Sequence, residues 1–403
     1  MSHRLDRHVS GPTKRILVGV AVAMAVATAV GLVVLRPPER APGSLEGLGF
    51  VSEVVEAEVL EARNVPCQGQ PAEGVVCRRM VFDVLEGPDS GDTVTEEFAG
   101  GATVPNLEPG ERVHLAHDPT AEPAFRYRYL DRDRGGLLLW LTLLFTAAVV
   151  ALGRLRGLAA LAGLGVSIFV LVQWVLPAVL AGRSPLAVAV VGSAAIAFLA
   201  LYLAHGFTTM TTVALLGTLA SLALTAALAS VFVELASLTG FASEEAVVVQ
   251  IGAADLDLRG IILGGVVIGA LGAIDDMTVT QASAVWELRA ADPRMSRSTL
   301  IRAGTRIGRD HVASTVNTLA LAYAGASLPV LLLLVLSNQP VGTVLSGEVI
   351  ATEVVRTLVG SIGLVAAVPI TTWLAAAAAP TVESEAQQPV PRGAHEPAFF
   401  EED

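Results

Sequence analysis

Apolar residues in this chain come in long unbroken runs, not in the alternating or three-to-four spacing of a soluble domain. A run of roughly 20 such residues matches the ~30 Å hydrocarbon core of a bilayer. Eight runs stand out: Ile16–Leu35, Gly136–Gly153, Leu158–Leu180, Leu186–Ala204, Thr212–Glu234, Gly260–Ala284, Val312–Leu336 and Val355–Ala378. Charge, Gly or Pro frames most of them, and each predicts a transmembrane helix. The stretch Thr208–Phe241 is longer than one crossing needs, an excess that tilt or an interfacial extension absorbs. The first run follows Arg4, Arg7, Lys14 and Arg15 and has the outline of a signal peptide, with small-x-small sites at Ala25-Val26-Ala27 and Ala27-Thr28-Ala29. Its length exceeds the roughly 7–15 residues of a signal core, so a retained anchor is expected.

Between the first two runs the pattern changes. Glu53-Val54-Val55-Glu56-Ala57-Glu58-Val59-Leu60 and Arg79-Met80-Val81-Phe82-Asp83-Val84-Leu85 alternate as half-buried strands do. Turn signals at Glu86-Gly87-Pro88-Asp89, Ser90-Gly91-Asp92, Gly100-Gly101 and Pro109-Gly110 separate them. A small β-barrel or sandwich of four to six strands, OB-like in outline, is expected there. The organisation that follows is an N-terminal segment 1–15, a helix 16–35, a β-rich domain 36–134, a seven-helix membrane body 135–379 and a Pro/Gln/Glu-rich tail 380–403 expected to be disordered.

Basic residues orient the spans, because short cytoplasmic loops collect Lys and Arg. Four precede the first span, Arg154 and Arg156 lie between the second and third, and Arg289, Arg294, Arg297, Arg302, Arg306 and Arg309 follow the sixth. Ser237–Leu258 carries Glu244, Glu245, Asp255 and Asp257, and Ser337–Val354 carries Glu348 and Glu353, neither with a basic residue. This alternation fits eight spans with both termini in the cytoplasm of a cell (plasma) membrane protein. Arg126, Arg128, Arg132 and Arg134 disagree, but they end a long translocated domain, which largely escapes the rule.

Composition sharpens the class. AVILMFWYC residues make up 53% and charged residues 16% of 403, too little polar surface for a soluble or disordered protein. The net charge of −12 is unevenly spread. Residues 36–134 hold ten Arg against nineteen Asp and Glu, which argues against nucleic acid or anionic lipid as that domain's partner. Only Lys14 among the 26 basic residues is lysine, a coding bias without mechanistic weight. Both cysteines, Cys67 and Cys77, flank a Gly/Pro-containing loop outside the membrane, where a disulfide is the natural reading and reduced thiols the alternative.

Ionisable groups inside spans are costly and usually face a bundle interior or a hydrated cavity. The sixth span holds Asp275 and Asp276, with Gly265, Gly269, Gly272 and Asp276 on one helical stripe that Thr280 extends. Small stripes are where transmembrane helices approach closely. The stripe therefore predicts helix packing at the glycines, with Asp276 turned inward and Asp275 to one side. An ion or proton site is the functional reading; a pair satisfied by a neighbouring Arg, Asn or helix terminus is the structural one. The seventh span offers partners in His311, Ser314, Asn317 and Thr318, residues that also serve ordinary interhelical bonding. Glu234 lies near the outer end of the fifth span. Ser298–Arg309 is expected to be an interfacial helix with Arg302, Arg306 and Arg309 on anionic lipid, or else on an anionic substrate. No nucleotide-binding loop, metalloprotease motif or nucleophile elbow occurs, so no enzyme, cofactor or metal is expected.

Two stretches resemble the YibE/F-like membrane proteins: Gly269-Ala-Leu-Gly-Ala-Ile-Asp-Asp-Met-Thr-Val-Thr-Gln-Ala-Ser-Ala-Val-Trp-Glu-Leu and Gly308-Arg-Asp-His-Val-Ala-Ser-Thr-Val-Asn-Thr-Leu-Ala-Leu-Ala-Tyr-Ala-Gly-Ala-Ser-Leu-Pro. The similarity runs from about residue 50 to residue 375. The resemblance implies a bacterial multi-span protein, adding fold and location without a reaction. It also implies Met in many relatives at the place of Asp275, with Asp276 retained. The leading functional expectation is a permease-like protein moving a small solute or ion, with Asp276 as its coupling group. The competing one is a non-enzymatic anchor or signalling protein whose outer domain binds an envelope partner or a second copy.

Overall fold

A computed structural model describes residues 11–37, 53–67, 76–99, 104–242, 244–252, 256–336 and 340–380. Arg4, Arg7, Asp255 and the tail beyond Pro380 lie outside the described residues. The chain divides into two compact units, residues 43–152 and residues 1–42 with 153–403.

The smaller unit is built on one antiparallel sheet of five strands, β1 (Glu53–Pro66), β2 (Val76–Val84), β3 (Thr93–Phe98), β4 (Arg112–His117) and β5 (Tyr127–Arg132), in the order β3-β2-β1-β4-β5. Alternation in the sequence becomes two-sidedness: Val55, Ala57, Val59, Met80, Phe82, Val84, Val113 and Leu115 fill one face and form the core. Register shifts between Val59 and Glu61 and between His114 and Leu115 bend the sheet. The edge strands β3 and β5 meet through side chains. The Tyr129 amide donates to Glu96 Oε2 (2.7 Å), and the Tyr129 ring meets Phe98 edge-on. The expected barrel or sandwich is thus a single curled sheet, a half-barrel whose seam lacks a backbone ladder. Cys67 and Cys77 form a disulfide (Cα–Cα 4.9 Å) beside the Pro66–Val76 pair, stapling the open end of the β1–β2 hairpin.

The larger unit begins with α1 (Gly11–Val34) and resumes within α2 (Gly135–Val170), which is interrupted by a non-helical Arg154 (φ 51°, ψ −128°). A π-turn at Leu171–Val175 leads into the short α3 (Leu176–Leu180), whose Pro177 sits where a missing N–H costs nothing. Next come α4 (Pro185–His205), α5 (Thr209–Leu235), α6 (Glu244–Gly252), α7 (Leu258–Ala291), α8 (Arg297–Ala326), α9 (Leu328–Leu336), α10 (Val341–Ser346) and α11 (Glu348–Ala378). Polar caps start the long helices: Thr208 accepts from the Thr211 amide, Asp257 from Gly260 and Ser296 from Thr299. Residues from α4, α5, α7 and α11, among them Leu215, Val267, Ile274, Met277, Leu364 and Ala367, share the main core.

Six helical stretches among the described residues are long and apolar enough to cross a membrane: Gly11–Val34, Gly135–Leu180, Pro185–His205, Thr209–Leu235, Leu258–Ala291 and Glu348–Ala378. The protein is a polytopic membrane protein with a sheet domain near its N-terminus. Three of the eight expected runs appear differently. The second and third lie within one helical stretch broken at Arg154. The seventh is shared between α8, whose first half is too charged to qualify, and the nine-residue α9 beyond Ser327.

Candidate functional site

The central helix α7 sits between α5, α8 and α11, and its two acids diverge because neighbouring helical residues are about 100° apart. Asp275 is half-buried towards α5, where Thr218 Oγ1 lies 3.5 Å from its Oδ1. Thr218 is fully buried and shares a 2.7 Å hydroxyl–hydroxyl bond with Thr278, which in turn lies 2.9 Å from the Asp275 carbonyl. Asp276 points the other way. Its side chain is 70% exposed and its nearest ionisable partner is His311 of α8, Nε2 to Oδ2 3.8 Å. The expected orientation is therefore reversed: Asp275 is the enclosed acid and Asp276 the accessible one.

The glycine stripe leading to Asp276 is likewise not a tight helix seam. Close approach occurs one residue earlier, at Gly264, where a Cβ would stand 3.3 Å from Ala189 Cβ and the Pro185 carbonyl of α4. The stripe instead receives polar side chains. A Cβ on Gly265 would lie 3.5 Å from the Arg356 guanidinium, one on Gly269 would lie 2.5 Å from the Tyr323 hydroxyl, and Gly272 meets nothing within 4 Å. Arg356 belongs to α11 and pairs with Glu353 one turn earlier (2.7 Å), both half-buried. Side chains from two other helices thus line α7 from Gly265 to Asp276.

Arg356 has no place in the sequence reading, and Glu353 enters it only as an acidic loop residue that marks the outer side. The signal was available, since a Glu and an Arg three residues apart enter an apolar run, but it read as the flank of a span starting at Val355. In the structure the helix starts at Glu348. Glu348 accepts from the Thr239 and Gly240 amides (2.6 and 2.7 Å), tying α11 to the turn after α5. There Gly240 needs its left-handed backbone (φ 89°) and has no room for a side chain against Leu258. Gln281, also unflagged and 2% exposed, donates to the Gly304 carbonyl (2.8 Å) and Thr372 Oγ1 (2.6 Å), binding α7 to α8 and α11.

The other expected residues are more scattered. Ser314, Asn317 and Thr318 are exposed on α8, with Thr318 Oγ1 bonded back to the Ser314 carbonyl (3.0 Å). Glu234 is exposed at the end of α5, away from the two aspartates. Arg302, Arg306 and Arg309 are exposed as expected, but the helix that carries them is no separate interfacial element. It is continuous to Ala326, and Leu300, Gly304 and Gly308 bury its other side against α7 and α11. Part of its apolar surface is thus spent on protein contacts, while Ile307 and Leu321 stay exposed.

The sheet domain holds a second polar cluster. The Tyr127 hydroxyl donates to Asp89 (2.8 Å), the His117 ring stacks on Tyr127 (4.7 Å between centroids), and Arg126 comes within 3.9 Å of Asp89. Burial, reinforced by the Asp89 hydrogen bond and charge, pushes the Tyr127 hydroxyl up to about 12, which makes it a fixed donor at physiological pH.

Chemically, this side of α7 presents a carboxylate beside an imidazole at one end and a phenol and a guanidinium further along. Among the described residues no group of three or more His, Cys, Asp or Glu could hold a metal ion. Residues 141–381 match the family model for YibE/F-like protein. No curated protein and no solved structure matches the chain.

Proposed function

The chain belongs to the YibE/F-like family, and from that premise we propose a permease-like function in which Asp276 couples movement of a small solute or ion through the membrane domain. One observation carries the reading: the glycine stripe of α7 ends at an accessible carboxylate 3.8 Å from His311, with Tyr323 and Arg356 lying over Gly269 and Gly265. A span that needed these residues for packing alone would not leave a carboxylate uncovered in its middle. Asp275, held beside Thr218 and Thr278, is a second acid close enough to influence the first. Asn317, Thr318 and Ser314 continue the polar face of α8, and Glu234 marks the far end of α5. No step in this function requires an enzyme, a cofactor or a metal.

The finer topology belongs to the same proposal. The chain crosses a plasma membrane eight times with both termini cytoplasmic. The 46 residues of Gly135–Leu180 would extend about 69 Å as one helix, more than twice the hydrocarbon thickness. The break at Arg154 divides them into two pieces of crossing length. Arg302, Arg306 and Arg309 then meet anionic lipid on the inner face.

The test is flux in proteoliposomes. Asp276→Asn is expected to abolish flux and its pH dependence while leaving the protein folded; unchanged flux and pH profile would sink the proposal. A second reading makes the spans an anchor for the sheet domain, which binds an envelope partner or a second copy, with no role for nucleic acid. Phe125, 73% exposed, is the observation in its favour. An Asp276→Asn variant with altered stability alone would select it.

A further inference from the structure

A cleft of about 720 Å³ lies beside α1, lined by no residue of α7. Lys14, Leu17, Val18, Ala21, Val22 and Ala25 form one wall; Val166 of α2, Phe198, Leu199, Tyr202 and Leu203 of α4, and Thr208, Thr209 and Thr212 complete it. Its shape follows from how α1 packs. At one end α1 is pressed onto α4, where a Cβ on Gly31 would stand 2.7 Å from Val191, and Trp174 donates to the Leu32 carbonyl (3.3 Å). Towards Lys14 the helix rests on α5 through the buried Leu17 and parts from α4, leaving Val18 47% and Val22 55% exposed.

We propose that this cleft binds one anionic phospholipid, its headgroup phosphate at Lys14 and an acyl chain running along α1 towards Ala25. Length agrees: eleven helical steps span about 16 Å, close to the depth of one leaflet's hydrocarbon. Polarity agrees as well. The Lys14 end carries Thr208, Thr209 and Thr212. The Ala25 end is apolar, and no acid is found among the described residues that line the cleft. Basic pockets between transmembrane helices recognise anionic headgroups in this way. The single lysine of the chain thereby acquires a role that its rarity in the sequence did not suggest.

The experiment is native mass spectrometry of the full chain, offered phosphatidylglycerol and phosphatidylcholine in equal amounts. One phosphatidylglycerol should be retained in preference. Lys14→Ala should reduce that preference about fivefold, and Lys14→Arg should preserve it. Val22→Trp, which fills the cleft without touching the charge, should lose the retained lipid. Three results would overturn the site: equal retention of both lipids by the unaltered chain, an undiminished preference in Lys14→Ala, or retention of phosphatidylglycerol by a folded Val22→Trp. Disulfide-linked copies formed in the membrane through Val22→Cys would overturn it too, by giving the cleft to a second chain.

Discussion

Two adjacent carboxylates on one helix leave it about 100° apart, and here each takes a different neighbour: Thr218 for Asp275, His311 for Asp276. The residue types and their spacing were legible in the sequence. Which acid was covered was not, because it depended on where α5 and α8 dock. Arg356 illustrates the same limit. Its pairing with Glu353 is local, but its position over Gly265 is a contact between helices far apart in the chain. In the sheet domain the Glu96 carboxyl raises a question of sign. Burial lifts it above its ordinary value, against the Tyr129 amide and the Arg128 charge. A raised value in the folded state means that the fold binds this proton more tightly than the unfolded chain does. Its contribution to stability is complete below 4.5 and is lost as pH rises through the raised value. Amide exchange at Tyr129 in the full chain, corrected for intrinsic exchange, should show protection falling over that window. Glu96→Gln should remove the fall while keeping the hydrogen bond.

At the scale of elements, α8 departs furthest from its sequence pattern. Arg302, Arg306 and Arg309 recur every three to four residues and read as an interfacial face. Gly304 and Gly308 fall on the opposite side, and α8 uses them to enter the bundle. A side chain at Gly308 would collide with Val368 and Gln281. Gly308→Leu is therefore expected to destabilise the membrane domain by at least about 1–3 kcal/mol. Arg306→Ala, on the exposed face, should stay within about 0.5 kcal/mol. Unfolding in a denaturing detergent series compares the two, and equal effects would contradict the docking. The strands were easier to read, because alternation survives whatever the strand pairs with. Their order, with β1 central, depended on long-range pairing that no local pattern carries.

For the whole molecule, the number of crossings rests on Arg154 and on the α8–α9 stretch, and Arg154 is the one that labelling can test. The native cysteines are joined in a disulfide, so Arg154→Cys offers an impermeant maleimide its one reactive thiol. Eight crossings predict labelling in inside-out vesicles and none in whole cells; protection on both faces would mean that Gly135–Leu180 passes as a single element. The amino-acid sequence by itself determined a polytopic membrane protein with a β-rich domain after its first span. Those properties follow from run length, alternation and composition, which act along the chain. The tertiary structure alone decided that α8 is continuous, that Arg356 and Tyr323 cover the α7 glycines, and that Asp276 is left open. In an apolar environment nearly every helix face is acceptable to lipid. Hydrophobic pattern therefore cannot choose a helix's neighbours; close packing and a few buried hydrogen bonds do.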